Sequence, residues 1–222
     1  MIALPLVLAL SLGADAPPPA AAASTPSTPS ITQGQRWSVV GALTAGEGGN
    51  VIEGGLGWPG LSGSFSHGVA KHFDLGVRIS FNYGLEGLVT RVLPGAKLQG
   101  LVKFRVFEAN ALSFGITFEP GPLFAVDRFG NGLVGFALPL GFRFGVAVSS
   151  AITLGFSFDV PLWVQFGGGG GVNVPLLPGL GLEYFIKSEL LVFFKTRMGP
   201  TVRPSGLLEL AFDAHLGVGY RF

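Results

Sequence analysis

The chain has 222 residues, of which 12% are charged, with 36 Gly, 20 Phe, no Cys and a net charge of +1. Charge at about half the usual share argues against an ordinary soluble surface. The near-zero net charge argues against a nucleic-acid partner, and the missing Cys excludes disulfides and thiolate metal sites.

The first segment, 1–16, is expected to be a secretory signal. Ile2 to Gly13 is an apolar run too short to span a bilayer, and Ala14-Asp15-Ala16 has the small-x-small form of a cleavage site. No Lys or Arg precedes the run, and no Cys follows the site to carry a lipid anchor. Residues 17–35 are Pro, Ala, Ser and Thr with almost no charge; they have little apolar surface to bury and predict a disordered linker.

From residue 36 onward, segments of period two are separated by turn residues. They predict ten strands: 36–46, 51–67, 73–84, 96–107, 111–125, 133–148, 151–166, 172–186, 189–200 and 206–222. Eight and twelve are the neighbouring counts, because 51–67 is irregular around Pro59-Gly60. Strand 151–166 is the clearest: Ile152, Leu154, Phe156, Phe158, Val160 and Leu162 alternate with Thr153, Gly155, Ser157 and Asp159.

Charges obey that alternation. Asp74, Arg78, Lys97, Lys103, Arg105, Glu119, Arg143, Asp159, Glu183, Glu189, Lys195, Arg197, Glu209, Asp213 and Arg221 all take the polar parity. Glu86, Arg91, Glu108, Asp127, Arg128, Lys187 and Arg203 fall in proposed turns or loops. Exclusion from the apolar face is expected where that face meets lipid, since Arg or Lys at the midplane costs about 2–4 kcal/mol. A soluble lipocalin-like barrel would instead hide the apolar face. The Phe, Leu and Val on that face are too bulky for a small lumen, whereas the Gly, Ser and Ala opposite suit one. Membrane helices fit poorly, because Arg143 and Asp159 would sit mid-span and the period is two.

The predicted joins alternate in length. Those at 108–110, 149–150 and 187–188 are short and 68–72 is moderate, alternating with longer joins at 85–95, 126–132, 167–171 and 201–205, with only 47–50 brief, which is the asymmetry of periplasmic turns and extracellular loops. Pro139, Pro161, Pro175 and Pro178 lie inside predicted strands, where each removes a ladder donor; bulges or protruding strand ends are expected there. Gly167 to Gly171 predicts a flexible loop and lacks the Lys-Ser/Thr of a phosphate loop.

The inward bases and acids nearly balance, which predicts a lumen filled by paired charges. The sharper alternative is a narrow conduit in which Arg and Lys select anions. His215 points inward near Asp213, but the inward hydroxyls Ser80, Thr153 and Ser157 form no triad spacing with it. His67 and His72 belong to the 68–72 turn region, and the three histidines do not predict a metal site. Trp37, Trp58, Tyr83, Tyr184 and Tyr220 are candidates for interfacial aromatic girdles, while Trp163 falls on the inward parity and is expected to cap the lumen or lie past the membrane edge.

The last strand alternates to its final residue and carries a polar residue, a Gly and two aromatics at His215, Gly217, Tyr220 and Phe222. This pattern resembles the C-terminal assembly signal of bacterial outer-membrane β-barrels. The resemblance implies an all-β, antiparallel, up-and-down transmembrane barrel over 36–222, most simply a monomer in contact with outer-membrane lipid. It further implies insertion by the barrel-assembly machinery of a Gram-negative bacterium. The expected role is non-enzymatic, structural or mediated by loops, with no cofactor. A narrow passive channel for small solutes is the first alternative and an outer-membrane lipid-modifying enzyme the second.

Overall fold

The computed structural model describes residues 37–83, 88–89, 93–126, 129–166, 171–203, 206 and 208–222. The segments 1–16 and 17–35, and the glycines 167–170, lie outside the described residues. The strands in chain order are β1 (Asn50–Trp58), β2 (Gly60–Ala70), β3 (Phe73–Asn82), β4 (Gly95–Ala109), β5 (Leu112–Phe118) and β6 (Gly121–Val126). They continue with β7 (Gly132–Ala147), β8 (Ile152–Phe166), β9 (Val172–Pro175), β10 (Leu177–Lys187), β11 (Leu190–Val202) and β12 (Leu208–Arg221). Each pairs antiparallel with its neighbours, and β1 pairs with β12 from Val51↔Arg221 to Trp58↔Ala214, so the sheet closes on itself. Asn50 and Phe222 exchange both backbone hydrogen bonds, at 3.0 and 2.9 Å, and finish that seam.

Two pairs of segments are single strands. The register of β5 and β6 against β7 is the same on both sides of Glu119-Pro120, and that of β9 and β10 against β8 is unchanged across Leu176. The wall therefore has ten strands, closed as an up-and-down barrel. At both interruptions the ladder loses donors to proline, not residues to a bulge. Pro139 and Pro161 face each other as Cα partners within unbroken β7 and β8. Glu119 donates its N–H to the Pro139 carbonyl at 3.0 Å but receives none in return. Gln99 Nε2 donates to the Glu119 carbonyl instead, at 2.7 Å. The expected bulges do not occur at these prolines; the register shifts lie near the short turns, at Gly68/Ala70, Arg105/Phe107 and Phe185/Lys187.

The count of ten is right although two predicted strands are not. Residues 51–67 form a hairpin of two strands folded at Pro59, and 36–46 contributes no strand among its described residues. Its buried Trp37–Ala45 stretch lies inside the barrel. Adjacent Val39 and Val40 both need cover, which a strand with one lipid face does not supply.

Short turns at 71–72, 110–111, 148–151 and 188–189 occupy one end, together with Asn50 and Phe222. Asn110 adopts the left-handed conformation (φ 51°) that a tight hairpin requires and that Asn tolerates. The longer connections gather at the other end, where only the Pro59 turn is tight.

Candidate functional site: the barrel lumen

The two faces of the wall are chemically opposite. On β10, Leu180, Leu182 and Tyr184 are 58%, 44% and 49% exposed, whereas Glu183 between them is fully buried. The same holds around the circumference. Ile52, Val77, Leu98, Phe144, Phe156, Phe194 and Leu216 point out, while Glu53, Asp74, Lys103, Arg105, Asp159 and Asp213 point in. A closed sheet whose outer face is Phe, Leu and Val and whose ionised groups are enclosed has the two faces of an outer-membrane-type barrel. The chain folds as an outer-membrane-type β-barrel. No helix among the described residues is long and apolar enough to cross a membrane.

No protein-family model and no curated protein matches the chain. Among solved structures it is similar to the outer-membrane protease OmpT from Escherichia coli, at 8% identity and TM-score 0.46, covering 78% of this chain and 93% of that one. It is also similar to the outer-membrane expressed OmpT of Vibrio cholerae (14%, TM-score 0.38, 73% and 56% covered) and to a KdgM porin (12%, TM-score 0.36, 78% and 99% covered). At these values the likeness is one of outline, and no residue role passes across it.

The lumen holds three layers. At the turn end, Trp37 to Ala45 forms a plug. None of its residues takes part in a backbone–backbone hydrogen bond among the described residues. Charged side chains of the wall take their place. The Glu183 carboxylate accepts from the Ser38 hydroxyl at 2.8 and 2.9 Å and from the N–H groups of Val39 and Val40 at 2.5 Å. Lys103 Nζ donates to the carbonyls of Ser38 and Leu43, at 2.6 and 2.8 Å. Asp74 accepts from Ala45 N–H at 2.9 Å, and Arg221 Nε donates to the Ala45 carbonyl at 2.9 Å. Orphaned polar groups inside a barrel are costly, and these four residues remove that cost for the N–H groups of Val39, Val40 and Ala45 and the carbonyls of Ser38, Leu43 and Ala45.

Glycines on the wall make the room. A Cβ at Gly155 on β8 or Gly181 on β10 would land on Val40 Cγ1. One at Gly219 on β12 would lie 2.9 Å from the Trp37 ring, and one at Gly115 on β5 would lie 3.2 Å from Ala42 Cβ. Trp37, Val40, Ala45, Val51, Phe185, Leu191 and Phe193 supply the apolar side of this layer.

Above the plug lies a belt of ion pairs. Glu53 is its hub: Arg78 Nη2 donates to it at 3.1 Å, Lys195 Nζ at 3.3 Å and the Ser64 hydroxyl at 3.2 Å. Arg78 Nη1 reaches on to both oxygens of Glu119, at 3.0 and 3.1 Å. A second chain runs from Arg143 to Asp159 at 2.6 Å and from Asp159 to Arg197 at 3.3 Å. Arg197 then donates through Nε to Asp213 at 2.8 Å. The belt bounds a chamber of about 150 Å³, with Ser62, Ser64, Ser66 and Ser80 on one wall and His215 among the charges opposite. Asp213 Oδ1 and His215 Nδ1 are buried there without a protein partner, so the chamber is a place for water or a polar solute.

The third layer is an apolar lid of Leu88, Leu123, Ala125, Ala137, Trp163, Leu177 and Ala211. Leu88 comes from the connection between β3 and β4. Because β1 ends at the level of Ala214, the upper edge of β12 is free on that side; Leu88 bridges Ala211 there and Val89 N–H donates to the Leu210 carbonyl at 3.2 Å.

The inward residues expected from the sequence thus serve different layers. Asp74, Lys103, Glu183 and Arg221 hold the plug, and Arg78, Glu119, Arg143, Asp159, Lys195, Arg197 and Asp213 form the belt. Arg203 pairs with Glu209 near the loop end, and Arg105 pairs with Glu108 and contacts His72 at the turn end. Glu189 is exposed in the turn before β11 and not inward, and Glu53 takes its place among the enclosed acids. Trp37 belongs to the plug and not to an aromatic girdle, whereas Trp163 caps the lumen as its parity predicts. Tyr184 and Tyr220 are exposed on the outer face toward the turn end, and Tyr83 toward the loop end, its ring against Trp58. Of the terminal pattern, His215 and Gly217 face the lumen, while Tyr220 and Phe222 stack on the outside with centroids 6.0 Å apart. His67 is exposed beside Asn50, 2.9 Å away.

Proposed function

We propose that this chain resides in the outer membrane of a Gram-negative bacterium as a non-enzymatic, monomeric barrel that is closed at rest and acts structurally or through its loops. The observation that carries the reading is the filling of the lumen at both ends, by the plug at one and the lid at the other. Outer-membrane lipid is the solvent of its outer face. The barrel-assembly machinery is the partner that would read the strand bearing His215, Gly217, Tyr220 and Phe222. His215, the candidate base of a lipid-modifying enzyme, borders the chamber in the lumen and not the outer face.

The chamber favours one second reading, a narrow passive channel for small solutes. Refolded full-length protein decides between them. The proposed function expects faster gel migration before boiling than after, and no stepwise conductance in planar bilayers. Sustained single-channel steps from the unmodified chain, abolished by Gly141→Leu in the belt, would establish the channel instead.

A further inference from the structure

We infer that the turn-end half of the lumen is a peptide-binding site, and that residues 37–45 are the ligand it holds, leaving and returning as one piece while the wall stays intact. The inference goes beyond the closed-at-rest reading and rests on it. Three observations carry it. No backbone–backbone hydrogen bond joins the plug to the wall among the described residues, and wall side chains read its backbone groups: Glu183 takes two successive N–H groups and Lys103 two carbonyls. That is how a site holds a peptide bent back on itself, as 37–45 is through its bends at 39–42 and the Gly41 N–H on Ser38 Oγ, whereas a segment integral to the sheet would share its ladder.

Trp37 and Thr44, near the two ends of the plug, also lie at the same mouth. Trp37 Nε1 donates to the Ser188 carbonyl in the turn before β11, and Thr44 Oγ1 donates to the Lys71 carbonyl in the turn before β3. Withdrawal therefore breaks no strand pair among the described residues. Finally, the groove is moulded to this ligand: Gly155 and Gly181 leave the space that Val40 fills, and Gly115 faces Ala42. The ligand class follows from the contacts. It is a peptide that takes a bend, with an aromatic residue at the mouth and small residues against the glycine wall, held mainly by its backbone.

The test starts from the full chain. A site for a sequence-specific protease is inserted between Glu47 and Gly48, both exposed, and cut after refolding in detergent. The freed fragment is expected to stay with the barrel, to dissociate on dilution, and to be replaced saturably by a fluorescent peptide spanning 37–46. Glu183→Gln removes the charge from that acceptor and is expected to weaken peptide binding at least tenfold. A peptide of the same composition in scrambled order is expected not to compete.

A fragment released only when the barrel loses its unboiled mobility overturns the inference, as does equal binding by the scrambled peptide or by Glu183→Gln. Should the insertion block folding, Val40→Cys in the otherwise Cys-free uncut chain replaces it. Labelling by a membrane-impermeant maleimide is then expected under conditions that keep the barrel folded, and faster with Glu183→Gln. Labelling confined to unfolded protein overturns the inference. Stepwise conductance by uncut wild-type protein is a different failure, that of the closed-at-rest reading.

Discussion

The fit between Val40 and its two glycines gives a quantitative prediction. Adding one methyl group at Gly181 places a carbon on Val40 Cγ1, and the Phe194 carbonyl lies 3.2 Å away on the other side. Val40 is β-branched and buried, with little rotamer freedom to escape. Gly181→Ala alone is therefore expected to cost about 1–3 kcal/mol by overpacking. Val40→Ala alone removes buried methyls and is expected to cost about 2 kcal/mol. In the double variant the new methyl occupies the space the old ones leave, so its cost is expected to fall below the sum by about 1–3 kcal/mol. Urea unfolding of the refolded barrel, followed by tryptophan emission, measures all four corners of the cycle; the slopes should agree so that the free energies can be compared. Additivity within about 0.5 kcal/mol would refute the contact, and with it the placement of the plug against β10.

Two further predictions concern the wall and the belt. Phe156→Arg, at the centre of the outer face of β8, is expected to cost about 2–4 kcal/mol when refolding is measured in lipid bilayers, and an unchanged midpoint would mean this face does not meet lipid. Arg78→Met strands Glu119 and leaves Glu53 to Lys195 and Ser64, and is expected to lose about 3–5 kcal/mol by the same unfolding assay. Adding Glu119→Gln, which removes the stranded charge and leaves Lys195 its Glu53 partner, should restore much of that loss, and no recovery would show that Arg78 acts by packing alone.

Much of this architecture was legible because a wall with two unlike faces follows a simple rule. Where a strand has an apolar outer side and ion pairs on the other, as in β7 and β8, alternation in the sequence is the structure. Glu53 escapes that rule because Gly54, Gly55 and Gly57 follow it, leaving too few side chains to define a face. Its parity relative to Ile52 and Leu56 is the one signal that points inward. The plug escapes for the opposite reason. Val39, Val40 and Leu43 look β-forming, but a segment surrounded by wall on every side has no solvent face to alternate with. Leu88 is illegible from its neighbours, since what buries it is the shortness of a distant hairpin at Pro59. The wall glycines were readable as a sign of a narrow interior; that they match one valine is information held only in three dimensions.

The prolines in the wall have a mechanical consequence. From Pro120 through Pro139 and Pro161 to Pro175 they take hydrogen-bond donors out of one level across adjoining strands. That side of the cylinder is two hoops stitched together with fewer threads than elsewhere. Leu123, Ala137 and Trp163 all sit on the upper hoop. The stopper at the loop end therefore rides on the least tightly fastened part of the molecule, where loosening asks least of the sheet below.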